Sequence, residues 1–398
     1  MARNSAAIPR YRATRAPALL HQGFRPFFLG AGLWAALAMV LWIAQLHGTP
    51  ILPKALSPAV WHANAMLFGY LGAAVAGFLL TAVPNWTGRM PLQGAPLAAL
   101  AGLWLAGRVA VLAVDEIGFA AAAAIDVAFL VLLGLVLGRE ILAGRNWRNA
   151  PVLGGIGVLA LAHLLFWLGA AGILPSGWGE RLAIATFTLL IVLIGGRIVP
   201  SFTRNWLAKR ISKPNVTAAN EWDRALVIGT GFALAAWIVA PSHPITAVLC
   251  GLAAIGNLWR ITRWRGLATW REPLLLVLHL GYLWVPVGLA LIAATPWVSA
   301  MTGTMALHAL TAGAMGTMPL AVMTRASRGH TGRLLQADTA TSAVFLAVLA
   351  AAVLRLAAPL WPAQYVTLLG LSAALWILAF GLFCLAYGPM LMRARAKG

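Results

Sequence analysis

Eight histidines are scattered through this otherwise apolar chain, and they are its main chemical resource. His163, His279 and His308 lie inside long apolar runs, and His62 opens another in Trp61-His62-Ala63-Asn64. His21 precedes Gly23-Phe24-Arg25-Pro26-Phe27-Phe28, and His330 falls in a segment rich in Gly and Arg that reads as a loop. His47 and His243 read as solvated turn residues. A lone histidine at membrane depth is usually hydrogen-bonded structure. Several in one bundle point toward metal or haem, because neutral imidazole is a strong ligand that brings no charge. The metal candidates are therefore His62, His279, His308, His330 and His21. Haem propionates need cationic partners, and Arg25, Arg197, Arg204 and Arg325 cluster where such groups would be met. The same arginines also suit topology and phospholipid contact. No HxxxH, HEXXH or paired-histidine motif is present.

Arg108 and Asp126 are the second resource. They lie seven residues before and ten residues after the tight turn at Asp115-Glu116, so a helical hairpin puts them at about the same depth. Pairing would remove two bare charges from lipid, and a fold-fixing salt bridge explains them better than catalysis. Cys250 and Cys384 both sit in apolar runs and read as small core residues, not as a disulfide. Glu272 suits a helix start. There is no phosphate loop and no nucleophile elbow.

The elements that must position these side chains follow from composition. Of 398 residues, 61% are hydrophobic and 10% charged, with mean hydropathy +0.85. A soluble chain carries about 25% charged residues. The sequence predicts an all-α polytopic membrane protein of about twelve transmembrane helices, near 27–46, 61–85, 92–114, 118–143, 151–172, 180–200, 224–240, 242–262, 273–294, 298–322, 337–359 and 364–391. Residues 1–26 read as a cytoplasmic arm, 27–392 as one membrane domain and 393–398 as a tail. Lys54, Arg181 and Arg355 fall at turns on one side, and the remaining turn cations fall on the other. The positive-inside rule then places both ends in the cytoplasm. The net charge of +20 is thereby topogenic, and no soluble module carries a nucleic-acid patch.

The ends of helices 2, 6 and 10 recur: Val83-Pro84-Asn85-Trp86-Thr87, Val199-Pro200-Ser201-Phe202-Thr203 and Val322-Met323-Thr324-Arg325. Three four-helix units are one reading of this. Pro, Trp and Arg also simply suit the membrane interface. Across the turn between helices 9 and 10, His279 and His308 are expected within about one helical turn of each other in depth, roughly 5 Å. They would then share one cofactor region, with His62 at a separate outer site.

Several blocks resemble the NnrS family. They are GFRPFFLGAGLWAA (23–36), WHANAMLFGYLGAAVAGFLLTAVPNWTGR (61–89), LWLAGR (103–108), RNWRN (145–149), LIGGRIVPSFTRNWL (193–207), REPLLLVLHLGYLW (271–284) and ALHALTAGAMGTMPLAVMTRASRGHTGR (306–333). The resemblance implies a multi-pass protein of the bacterial inner membrane, carrying haem b and copper. It also implies a role in nitric oxide tolerance or metabolism, with an electron donor as partner. His279, His308 and His330 match their blocks. Helix 2 of the family usually reads WHxHEM, whereas here Asn64 and Ala65 replace the second histidine and the glutamate. That leaves a gap expected beside His62. The leading expectation is a haem-binding protein that handles nitric oxide, as enzyme or as protector. A transporter of a small solute or metal–nitrosyl species, or a non-catalytic sensor, is the alternative. Twelve helices in three units also resemble the large subunit of haem–copper oxidases. Helices 6 and 7 here carry no histidine, so that binuclear site does not transfer.

Overall fold

The computed structural model describes residues 15–211 and 215–395. The expectations for the arm before residue 15, for Lys213 and for residues 396–398 fall outside the described residues. Among the described residues, twelve helices are long and apolar enough to cross a membrane. They are α1 (Phe24–Leu46), α2 (Pro58–Thr87), α3 (Gly94–Leu112), α4 (Phe119–Ala143), α5 (Trp147–Ala170), α6 (Trp178–Leu207), α7 (Glu221–Val239), α8 (Pro244–Thr262), α9 (Pro273–Ala294), α10 (Gly303–His330), α11 (Thr339–Leu360) and α12 (Pro362–Met392). The run 224–262 divides into α7 and α8 at Pro241, and the His243 side chain accepts from the Ile245 N–H to start α8. Ser57, Thr302 and Asp338 cap α2, α10 and α11 in the same way, and Asn220 with Asp223 forms a reciprocal box at α7.

One boundary moves. Helix α10 begins at Gly303 rather than 298 and runs on to His330, so His330 closes a helix instead of sitting in a loop. Thr302 is the physical reason at the start, because its hydroxyl accepts from the Met305 N–H.

Packing follows a four-helix rhythm. The strongest neighbours are α3–α4–α5–α6, then α7–α8–α9–α10, then α11–α12–α1–α2. Each arc therefore ends on one of α2, α6 and α10. These three pack on one another and, with α9, are the most enclosed helices. The recurring helix ends seen in the sequence thus belong to the three central helices.

Each central helix widens into a π-helical segment: Ala65–Tyr70 in α2, Ile191–Gly195 in α6 and Ala309–Met315 in α10. A wide turn disturbs the regular carbonyl ladder, and a membrane offers no water to compensate. Side chains from neighbouring helices supply donors here. Trp34 Nε1 donates to the Ala65 carbonyl at 2.9 Å and Trp104 Nε1 to that of Gly69 at 3.0 Å. Arg260 Nη1 donates to the Val192 carbonyl at 2.9 Å. The Tyr70 hydroxyl reaches the Met315 carbonyl at 3.2 Å, tying α2 to α10.

The loops gather at two ends. At the cation-poor end, the Asp115 carboxylate accepts from the Lys54 and Ala55 N–H groups at 2.7 and 2.8 Å. At the cation-rich end, Arg25 Nη1 donates to the carbonyls of Leu391 and Arg393, at 2.8 and 2.6 Å. The Arg89–Glu140 ion pair at 2.5 Å joins the α2–α3 connection to α4 at that same end.

Candidate functional site

A cavity of about 770 Å³ lies at the cation-poor end among α1, α2, α6, α7, α10, α11 and α12. That volume lies within the ~300–1,000 Å³ usual for small-molecule and cofactor sites. Its wall holds His62 from α2, His308 from α10 and Arg355 from α11, together with Glu180 and Arg181 from α6. Trp42, Trp237 and Trp376 supply much of the apolar surface.

Both histidines are near helix starts. His62 is four residues beyond Pro58 and His308 five beyond Gly303. At 1.5 Å per residue they sit roughly 6 and 8 Å below their helix starts. His308 Nδ1 is 2.8 Å from the Thr304 carbonyl. A carbonyl only accepts, so Nδ1 holds the proton and Nε2 keeps its lone pair. A histidine fixed through one nitrogen with the other free is the usual state of a metal-ligating imidazole. The His62 ring stacks on Trp42 at 4.5 Å, and its Nδ1 is buried without a hydrogen-bond partner among the described residues. Arg355 Nη1 is likewise buried and unpartnered among the described residues, and its charge lies within electrostatic reach of both histidines.

His279 is elsewhere. Its Nε2 is 2.9 Å from Thr203 Oγ1, whose own proton points to the Val199 carbonyl at 2.9 Å. Trp264 and Gly266 close over the ring, and a Cβ at Gly266 would lie 2.7 Å from Nδ1. His279 lies fifteen residues from the end of α9 at Ala294, about 22 Å, whereas His308 is about 8 Å below its helix start. The expected shared region of His279 and His308 is therefore not formed. The eight residues 295–302 that join α9 to α10 were counted as partly helical rise, and they are not helix. His308 instead meets His62, which the sequence had assigned to a separate site.

The remaining candidates disperse over the cation-rich end. The His330 ring packs on Phe24 at 5.4 Å. His21 Nε2 donates to the Ala16 carbonyl at 2.9 Å. Arg25 caps the end of α12. Arg325 lies over the Phe202 ring at 4.2 Å, and Arg204 Nη2 donates to the Val216 carbonyl at 3.3 Å. Arg197 is exposed. None of the four arginines lines the histidine cavity, whereas Arg355 and Arg181, read from the sequence only as turn cations, do. Their signal was the scarcity of cations at that end.

Arg108 and Asp126 form the expected pair, and it is the centre of a larger knot. The fully buried Asp126 carboxylate accepts from Arg108 Nη2, from Asn64 Nδ2 at 2.8 Å, from His163 Nε2 at 2.9 Å and from Trp167 Nε1 at 3.1 Å. His163 stacks on Phe68 at 3.8 Å. Asn64 thus belongs to this knot rather than to the cavity wall, and Ala65 gives its carbonyl to Trp34. The gap expected beside His62 at these two positions is not there.

No curated protein matches the chain in sequence. The pattern of the family described as NnrS protein matches residues 18–395, nearly the full length, and the chain belongs to the NnrS family.

Proposed function

We propose that the cavity at the cation-poor end holds a haem, with His62 and His308 as its candidate protein ligands, and that the protein uses it in nitric oxide tolerance or metabolism. Family membership supports a membrane protein of the nitric oxide response. The observation that carries the reading is the His308 imidazole. Its proton is engaged by Thr304, so its free nitrogen is available to a cavity that His62 shares.

The residues present fit such a group. Two histidines enter from separate helices of the central triad. Arg355, with a buried donor to spare, would pair with an acidic edge such as a propionate. Tryptophans and aliphatic side chains keep water from the apolar face. Bound there, haem supplies an iron that takes up nitric oxide or passes electrons to it. Copper is a second candidate for the same imidazoles, since they suit either metal. The positive-inside rule puts the cation-rich end in the cytoplasm of a bacterial inner membrane, so the cavity faces outward.

The test is the absorption spectrum and metal content of protein purified from haem-replete membranes. A Soret band that shifts on adding nitric oxide is expected. Arg355→Gln should retain less haem while both histidines remain. Protein free of haem and copper, isolated folded, overturns the reading.

A further inference from the structure

On the axis between α2, α6 and α10 lies a second cavity of about 80 Å³. It borders the histidine cavity, because Leu71 of α2 and Met315 of α10 line both. Every side chain on its wall is apolar, with Phe28 and Val152 closing the flanks. The π-helical segments help to shape it: Ile191, Ile194 and Gly195 come from the wide turn of α6, and Met315 ends that of α10.

A buried water needs about 2–4 polar partners, and this wall offers none. Apolar cavities of ~150 Å³ stay dry and take up xenon or benzene. A space of about 80 Å³ suits a single heavy atom or a diatomic molecule. Methionine thioethers on the wall are long, flexible and polarisable, so they yield to a passing guest.

We propose that this axial cavity is a docking site for small uncharged gas molecules. They enter from the apolar interior of the bilayer and pass Leu71 and Met315 into the histidine cavity. That the gas is nitric oxide rests on the function proposed above; that a gas docks here does not.

Xenon tests the site without any cofactor. Crystals of the full chain pressurised with xenon should show anomalous density between Leu71, Ile194 and Met318. Ala74→Phe and Ile194→Trp fill the space from two different helices, and each should abolish that density. Met323→Leu, which conserves volume, should keep it. The proposal is overturned by wild-type protein without xenon at the axis, by xenon that persists there in both filled variants, or by an acyl chain in its place. Xenon bound by protein that proves free of haem would overturn the cofactor reading and leave this one standing.

Discussion

Replacing Asp126 by Leu strips the knot of α2, α3, α4 and α5 of its only carboxylate. Arg108 is 2% exposed and cannot turn to water. Losing one partner of a buried ion pair costs about 3–5 kcal/mol. Asn64, His163 and Trp167 lose an acceptor as well, at roughly 1–3 kcal/mol for each donor left unsatisfied, less whatever local relaxation recovers. Hydrogen bonds between membrane helices average only about 0.6 kcal/mol in double-mutant cycles, so the stranded guanidinium should dominate. The expected loss is about 4–5 kcal/mol, at the upper end of the ion-pair range. The Arg108→Met, Asp126→Leu double variant replaces the pair by apolar side chains of similar length. Such replacements are often close to neutral, which implies a coupling of about 3 kcal/mol or more. Reversible unfolding in mixed SDS micelles reads Asp126→Leu, Arg108→Met and the double variant against wild type. A loss below about 1 kcal/mol for Asp126→Leu would show that the buried pair does not hold the four helices. So would a double variant as unstable as the single one.

Three further expectations can be checked directly. Gly69→Ala should cost about 1–3 kcal/mol by overpacking, because the new Cβ would sit 2.6 Å from Arg108 Nη1 and nearer still to the Trp34 indole nitrogen; wild-type stability would show that the wide turn of α2 has room. The Lys54 and Ala55 backbone N–H groups hold the exposed Asp115 carboxyl below its ordinary range, with the Lys54 charge adding to the effect. A depressed folded-state value means the stabilisation is present above the unfolded value near ~3.9 and lost as pH falls through the lower folded one. Normalised amide-exchange protection at residues 54 and 55 should therefore decline below about pH 4, and be absent even at neutral pH in Asp115→Ala; protection indifferent to both changes contradicts the staple. Cysteines placed at Lys54 and Arg393 should label from the outside and from the cytoplasm respectively, and the reverse pattern would overturn the orientation.

The helices were legible because their signal is local. Twenty apolar residues between turns identify a span with no knowledge of its neighbours, and the cations rank the turns by side. The Arg108–Asp126 pair was legible for a related reason, since one short hairpin fixes both depths. The histidine partnership was not, because it depends on which helices meet. His62 and His308 come from different arcs and touch one cavity only because α2 and α10 both run through the centre. The repeated endings of helices 2, 6 and 10 hinted at a shared role without revealing that it was central. Non-helical residues 295–302 spoiled the depth count for His279 and His308, since loop residues add length without regular rise. The tryptophans and Arg260 that satisfy the π-helical carbonyls look like ordinary interface residues in the sequence. Their role exists only once the wide turns are seen beside them.

Under the proposed function, the chemistry belongs to the cavity shared by His62 and His308, with His279 and His330 serving structure. Haem and copper per polypeptide, measured in the His62→Ala, His308→Ala, His279→Ala and His330→Ala proteins purified side by side, test it most directly. Cofactor should be lost or spectrally altered in the first two and stay at the wild-type level in the last two. Full cofactor in His62→Ala and His308→Ala, with loss in His279→Ala or His330→Ala, would contradict it.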